Sequence, residues 1–254
     1  MSDPKSAVEQ FGRSAESYLT SQAHARPDEL HEQILKHGLK GDVVVDVGTG
    51  AGHVAYALSP FCGRVIALDP TPEMLAIVAR EAEKRGLANV ETILGTAEDL
   101  PFEVASIDGV TCRTAAHHFL DVGSFVASCA RVVKPGGWLW ISDSTSPEDD
   151  ATAQELDALE RLRDPSHMWN LKPSEWRAVL EEHGWEIDSL ELGSKEIDFL
   201  QWLDRMHVNA EDRERATRMM TQPSAQLRPY LNPRQTDGKP WFDLPFITIF
   251  GRRK

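Results

Sequence analysis

The chain has 254 residues, with 27 Lys and Arg against 40 Asp and Glu, which gives a formal net charge of −13 at pH 7. Hydrophobic residues make up 41% and charged residues 26%, an ordinary balance for a globular protein whose length allows one large α/β domain or two small ones. The negative charge disfavours nucleic acid and anionic membranes as partners, because both are polyanions.

The three cysteines are an odd number without a CxxC pair, so the sequence predicts neither a disulfide framework nor a metal site. The first ten residues lack the basic and apolar regions of a signal peptide. No apolar run approaches the roughly 20 residues of a membrane span. We therefore expect a cytoplasmic protein without a membrane partner, and the sequence leaves its oligomeric state open.

Strands and helices alternate between residues 40 and 145, after a first helix predicted over 28–37. The predicted strands cover 43–47, 64–68, 90–94, 107–112 and 138–142, and the predicted helices between them cover 54–58, 71–86 and 125–133. This alternation predicts right-handed crossovers and a doubly wound, parallel α/β sheet.

The remaining segments do not follow that alternation. Charged helices are predicted over 148–163 and 174–183, and a last strand over 246–250. Two insertions, at about 147–172 and 197–222, predict a helical cap, and the polar residues 1–27 predict a covering arm. We therefore expect this arm and one domain over 28–254.

A glycine-rich turn follows the first predicted strand, in the sequence Asp46-Val-Gly48-Thr49-Gly50-Ala-Gly52. Glycines after a buried strand allow a tight turn and let a ligand approach the amides of the next helix. Dinucleotides and S-adenosylmethionine both bind in this geometry. Gly50-x-Gly52-x-x-Ala55 fits a dinucleotide fingerprint formally, but such a match is weak evidence alone.

Asp46 separates these two ligand classes. A carboxylate directly before the glycines would repel a pyrophosphate, whereas it attracts the ammonium and sulfonium groups of S-adenosylmethionine. Asp69, at the end of the second strand, can accept hydrogen bonds from ribose hydroxyls in either class. The sequence therefore favours S-adenosyl-L-methionine as the cofactor.

With these motifs the chain resembles the class I S-adenosylmethionine-dependent methyltransferases. Within that family it is similar to the ubiquinone and menaquinone biosynthesis C-methyltransferases and to a group of uncharacterised bacterial relatives. The resemblance extends over about residues 10–180. It rests on five segments in order, DVGTGAG at 46–52, DPTPEM at 69–74, GTAEDLPF at 95–102, CRTAAHHFLD at 112–121 and RVVKPGGW at 131–138.

The resemblance implies a seven-stranded Rossmann-like sheet with an antiparallel last strand, and an N-terminal arm that covers the cofactor site. It also implies that Asp46 lies near the methionine ammonium and that Asp69 binds the ribose. Many relatives have Asp where this chain has Thr96. The full set of implied cofactor-binding residues is Tyr18, Asp46, Gly48, Thr49, Gly50, Gly52, Asp69, Pro70, Met74, Thr96, Ala97, Glu98 and Arg113.

Methyl transfer is an in-line displacement at a cationic sulfonium, so few catalytic groups are needed beyond those that align the reactants. A general base helps when the acceptor is protic. His117 and His118 follow the fourth strand, and we expect one of them to face the site, because adjacent strand residues point in opposite directions. Asp143, at the end of the fifth strand, is a third catalytic candidate.

The insertion after the fifth strand is placed to cover an acceptor pocket. Arg163, His167 and Trp169 within it are the candidate substrate contacts. The resemblance implies methyl transfer to a small-molecule acceptor.

Three other functions stay open from the sequence alone. A non-catalytic S-adenosylmethionine-binding protein would keep the same motif, because cofactor binding and catalysis are separable. An NAD(P)-dependent oxidoreductase is disfavoured by Asp46. A nucleic-acid methyltransferase is disfavoured by the net charge and by the absence of an Asn/Asp-Pro-Pro-aromatic motif.

Overall fold

A computed structural model describes residues 27–254 of the chain, together with Val8 and Gly12. In chain order its helices are α1 (Pro27–His37), α2 (His53–Leu58), α3 (Pro72–Arg85), α4 (Val122–Val132), α5 (Asp150–Arg163), α6 (Pro173–Glu182), α7 (Phe199–Asp204), α8 (Ala210–Thr221) and α9 (Arg228–Leu231). Its strands are β1 (Gly41–Val47), β2 (Cys62–Asp69), β3 (Val90–Leu94), β4 (Ile107–Arg113), β5 (Val133–Ser144), β6 (Trp185–Asp198), β7 (Arg234–Thr236) and β8 (Lys239–Arg253).

The strands of the described residues form one sheet in the order β3-β2-β1-β4-β5-β8-β6, and the short β7 pairs with β8 as an eighth strand. Strands β1 to β5 are parallel, whereas β8 runs antiparallel to β5 and to β6. The predicted doubly wound, mostly parallel α/β sheet is therefore confirmed. Because β5 and β6 both pair antiparallel with β8, β6 runs in the same direction as β1 to β5, and β8 is the predicted antiparallel last strand.

Two apolar cores lie on opposite faces of the sheet, as a doubly wound fold requires. Val44 and Val45 are adjacent in β1 and both fully buried, yet they belong to different cores because successive side chains of a strand point to opposite faces. Phe125 of α4 packs in the first core and Val54 of α2 in the second.

A third apolar core lies apart from these two and joins the helices that follow β5 and β6. Leu156 of α5, Phe199 and Trp202 of α7 and Phe242 of β8 are its central members. Trp202 and Phe242 meet edge to face, with ring centroids 5.1 Å apart. The helices of the two predicted insertions thus share a core of their own.

Strand β6 was not predicted. Its side chains are mostly half-buried or exposed, and polar residues occupy many positions, because it is the last strand of the sheet. The short hydrophobic runs that marked the central strands are therefore missing here. The strand exists through its pairing with β8 from Trp185 to Asp198.

No helix within residues 27–254 is long and apolar enough to cross a membrane.

Gly109 of β4 gives a test of this packing, because Trp138 of β5 fills the space beside it. A Cβ atom at Gly109 would lie 2.0 Å from Trp138 Cε2, and the indole is held by a 3.0 Å hydrogen bond from Nε1 to the Lys40 carbonyl oxygen. We expect Gly109→Ala to lower the free energy of unfolding by about 1–3 kcal/mol, the range for overpacking. Urea denaturation measures this change.

Gly193→Ala is the matched control. This glycine lies in the edge strand β6, is exposed, and has no atom within 4 Å of an added Cβ. Its substitution should leave stability unchanged or raise it by up to about 1 kcal/mol. Equal losses for the two variants would contradict the packing described for Gly109.

Candidate functional site

A cavity of about 590 Å³ opens at the carboxyl ends of β1, β2 and β4. Strand β1 lies between β2, which follows it in the chain, and β4. Ligands bind at such a switch point in open α/β sheets. The volume suits a small-molecule site. Its described wall comprises Val8, Asp46, Gly48, Thr49, Gly50, Ala51, His53, Val54, Leu68, Asp69, Pro70, Thr71, Met74, Thr96, Ala97, Glu98, Arg113, Thr114, Ala115, His117, His118, Phe119, Leu120, Arg163 and Asp164.

The glycine-rich turn after β1 forms one wall of this cavity. Gly48 and Gly50 have φ angles of 65° and 52°, in the left-handed region that favours glycine. A Cβ at Gly48 would lie 2.6 Å from the Cβ of Ala115, whereas one at Gly50 would meet nothing within 4 Å. The turn therefore needs glycine at Gly48 for close packing and leaves open space beside Gly50.

Asp46 lies under this turn and is 1% exposed. Its carboxylate accepts hydrogen bonds from Thr49 Oγ1 at 2.7 Å and from Thr111 Oγ1 at 2.8 Å. Burial raises the pKa of Asp46 to about 6, although these two hydroxyls and the positive charge of Arg113 oppose the rise. A cation placed in the cavity would stabilise the ionised form of this carboxylate.

Asp69 is the last residue of β2 and is also buried. Its Oδ2 accepts a 2.9 Å hydrogen bond from the amide of Gly50, and its Oδ1 accepts one of the same length from the amide of Thr71. Burial raises the pKa of Asp69 against these bonds. Asp69 thus ties the glycine-rich turn to the start of α3.

Most of the cofactor-binding residues predicted from the sequence lie together in the cavity wall. Gly52 is an exception, because it caps α2 with a φ of 84° and a Cβ there would lie 2.6 Å from the Tyr56 ring. Glu98 accepts a 3.0 Å hydrogen bond from the amide of Leu120. Tyr18 lies outside the described residues.

These features fit S-adenosylmethionine. Two buried carboxylates at the strand ends suit a ligand that brings an ammonium and hydroxyl groups, and the open space beside Gly50 admits a group close to the backbone. A pyrophosphate would meet the charge of Asp46 instead.

His117 and His118 both line the cavity, so the expectation that one of them faces away is wrong. They lie in a single 3₁₀ turn (Ala116–His118) after β4, where the alternation of a strand does not apply. Their ring centroids are 4.1 Å apart.

His117 pairs with Asp143, which is 1% exposed and lies behind the histidine, outside the described cavity wall. His117 Nδ1 and Asp143 Oδ1 are 2.7 Å apart. Burial alone would lower the pKa of His117, but the charge and hydrogen bond of Asp143 outweigh it, and the pKa is raised. For Asp143, burial opposes the shift, and His117 nevertheless lowers its pKa.

His118 has a different environment. Burial, followed by the charge of His117, lowers the pKa of His118 to about 3. Its Nε2 lies 3.9 Å from Asp164 Oδ2, and its Nδ1 lies 3.2 Å from the Ser166 carbonyl oxygen. His118 is therefore neutral at ordinary pH.

The three predicted substrate contacts separate in the structure. Arg163 lines the cavity. His167 is 2% exposed and binds Asp157 Oδ1 through Nε2 at 3.0 Å, behind the described wall. Trp169 is also outside that wall, and its amide hydrogen-bonds the His117 carbonyl oxygen at 3.4 Å.

Two residues of the site were missed from the sequence. Thr111 lies inside β4 and looks like an ordinary strand threonine, and only the register of β4 with β1 places it opposite Asp46. Asp164 follows α5 directly before Pro165, where an aspartate is typical of a turn. Neither position carries a local signal of its role.

Comparisons with known proteins agree with this geometry. A family model for the methyltransferase domain matches residues 45–141. The chain is 36% identical over 206 residues to the methyltransferase YcgJ of Bacillus subtilis, and the match covers 81% of each chain. The crystal structure of YcgJ superposes with a TM-score of 0.85 at 33% identity, covering 89% of this chain and 98% of that one.

A ubiquinone biosynthesis O-methyltransferase of Methylocella silvestris is 38% identical over 102 residues, which is 40% of this chain and 40% of that protein. The sheet, the cavity at its switch point and the similarity to YcgJ over 81% of each chain together show that the chain belongs to the class I S-adenosylmethionine-dependent methyltransferases.

Proposed function

We propose that the protein transfers a methyl group from S-adenosylmethionine to a protic small-molecule acceptor, with His117 as general base and Asp143 as the residue that positions it. The observation that carries this proposal is that His117, in the wall of the cavity that also contains Asp46 and Asp69, pairs with Asp143 behind it. One cavity thus combines two buried carboxylates that suit the cofactor with a histidine that can act as a base.

The residues around the glycine-rich turn would hold the cofactor. Asp46 would bind the methionine ammonium through its buried carboxylate, and Asp69 would accept hydrogen bonds from the ribose. Pro70 and Met74 would flank the adenine. When bound, S-adenosylmethionine supplies a methyl group on a cationic sulfur, which becomes a neutral thioether after transfer.

His117 would take the acceptor's proton at Nε2, because Nδ1 is occupied by Asp143. A carboxylate on one ring nitrogen fixes the tautomer and the orientation of the ring, and it stabilises the imidazolium that forms. His118, with a pKa of about 3, would contribute a neutral ring to the wall rather than a base.

The cap and the arm belong to the proposal as well. The insertion after β5 contributes Arg163 and Asp164 to the cavity wall, and Val8 of the N-terminal segment also lines it. We propose that residues 1–27 cover the cofactor and that the two insertions form the cap over the acceptor.

A non-catalytic binding protein is the alternative. It would need Asp46 and Asp69 but not a histidine held at a raised pKa in the same cavity. The experiments on His117 below therefore separate the two functions.

Asp46→Asn should stabilise the apoprotein while it weakens cofactor binding. The folded-state pKa of about 6 lies above the usual 3.8, so apoprotein stability falls as pH rises from about 4 to 6, and the full penalty applies above pH 6. We expect the free energy of unfolding, measured in urea at pH 8, to rise by about 2 kcal/mol, and this gain should shrink toward pH 4. Calorimetric titration should show binding of S-adenosylmethionine at least thirtyfold weaker, about 2 kcal/mol.

Asp143→Asn is the matched control for a buried strand-end aspartate. The pKa of Asp143 is lowered in the fold, so its charge stabilises the protein above its usual pKa. We expect this variant to lose stability at pH 8 and to bind S-adenosylmethionine within threefold of wild type. Unchanged cofactor affinity in Asp46→Asn would contradict the role of Asp46.

His117→Gln should lower kcat by about 10²–10⁴, the usual contribution of a general base, and leave cofactor affinity within threefold. Turnover is measured with any acceptor found in a panel of phenols and alcohols. Because the pKa of His117 is raised above 6.5, kcat/KM of wild type should rise with pH, and this ascending limb should have its midpoint above 6.5.

Asp143→Asn tests the positioning role in the same assay. Removing the charge and the hydrogen bond should move that limb to lower pH, which a purely structural defect would not do. His118→Gln is the control, with a loss below tenfold and an unchanged limb. A limb that survives in His117→Gln would refute His117 as the base.

A further inference from the structure

Arg163 is the last residue of α5, and its side chain reaches the wall of the cavity from the insertion after β5. It is half-buried there. The cap thereby places a positive charge in a wall that also contains Arg113 and the acidic residues Asp46, Asp69, Glu98 and Asp164.

The guanidinium of Arg163 is held in place by Trp202. Its Nε donates a 3.3 Å hydrogen bond to the Trp202 carbonyl oxygen, and its Cζ lies 5.1 Å from the centre of the indole ring. Trp202 is 2% exposed and belongs to the third apolar core. The guanidinium is therefore orientated before any ligand binds, which lowers the entropic cost of recognition.

No carboxylate among the described residues lies within 4.0 Å of this guanidinium. The adjacent Asp164 is occupied elsewhere, because its Oδ1 accepts hydrogen bonds from the Ser166 amide at 2.9 Å and from Ser166 Oγ at 2.6 Å. Its Oδ2 lies 3.9 Å from His118 Nε2. Within the part of the chain that the structure describes, Arg163 thus forms no ion pair of its own. Its charge nevertheless acts on Asp164, because it helps His118 to lower the pKa of Asp164 against the effect of burial.

Arg163 lies at the histidine end of the cavity. Asp164, its neighbour in the chain, contacts His118, and His118 lies against His117. Arg113 lies instead at the end of β4, and its charge opposes the rise that burial causes in the pKa of Asp46 at the glycine-rich turn. The two arginines therefore serve different parts of the cavity.

We propose that the methyl acceptor carries an anionic oxygen group, a carboxylate or a phosphate, which Arg163 binds. The inference rests on the proposed function and names the substrate class of the same site. A planar guanidinium fixed on one side by Trp202 presents its remaining N–H groups as a fork that matches the oxygens of such a group. Arg163 thereby selects acidic acceptors and places their reacting hydroxyl beside His117.

The test uses protein saturated with S-adenosylhomocysteine and two matched pairs of probes, 4-hydroxybenzoate with 4-hydroxybenzamide, and phenyl phosphate with phenol. Calorimetric titration should show that wild type binds at least one acidic probe at least tenfold more tightly than its neutral partner. Arg163→Gln should abolish this preference, and Arg163→Lys should keep part of it, because lysine keeps the charge without the fork.

Arg218→Gln is the matched control, since it removes one positive charge from an exposed position of α8 where Arg218 pairs with Glu214. It should keep the full preference. All four proteins should bind S-adenosylhomocysteine within threefold of one another and melt within a few degrees. With an acidic acceptor that turns over, Arg163→Gln should raise KM at least tenfold with kcat within threefold.

Three results would overturn the inference. The first is that wild type binds both members of each pair equally or binds neither acidic probe. The second is that Arg163→Gln keeps the preference for the acidic probe. The third is that Arg163→Gln loses affinity for S-adenosylhomocysteine, which would assign Arg163 to the cofactor's own carboxylate. Binding of S-adenosylhomocysteine to wild type is measured before any probe is added. Failure to bind it would refute the proposed function and this inference with it.

Discussion

The parallel pairing of β1 with both β2 and β4 is the constraint on which the site depends. It brings the carboxyl ends of three strands to one edge of the sheet. Asp46, Asp69 and Arg113 therefore lie at the same edge although they are far apart in the chain. The glycine-rich turn then leaves room above these ends for a ligand. The rest of the fold packs one apolar core against each face of this sheet.

Two buried aspartates at that edge illustrate how partners decide the effect of burial. Asp46 has hydroxyl partners, and its pKa rises to about 6, which makes it costly in the apoprotein and well suited to a cationic ligand. Asp143 has a histidine partner, and its pKa falls. The same residue type therefore has opposite pKa shifts at two strand ends, because the partners of its carboxylate differ.

The position of Arg163 in the cavity wall depends on the helices that follow β5 and β6 rather than on the sheet. The third apolar core fixes Trp202, and Trp202 fixes the guanidinium of Arg163, so packing remote from the cavity controls a charge within its wall. The loop after α5 is also tied to the 3₁₀ turn of the histidines, because the amide of Met168 donates a 2.8 Å hydrogen bond to the His117 carbonyl oxygen. Methyltransferases that share the sheet can thus differ in acceptor through such insertions.

The sequence by itself determined the alternating sheet, the bounds of β3, the glycine-rich turn and the importance of Asp46 and Asp69, because these follow from hydrophobic period and local spacing. Only the tertiary structure decided that Thr111 bonds Asp46, that both histidines face the cavity, that Asp143 lies behind His117, and that His167 and Trp169 lie outside the described wall. The contact of Thr111 with Asp46 depends on strand register, and that of His117 with Asp143 spans 26 positions of the chain, which no local pattern encodes.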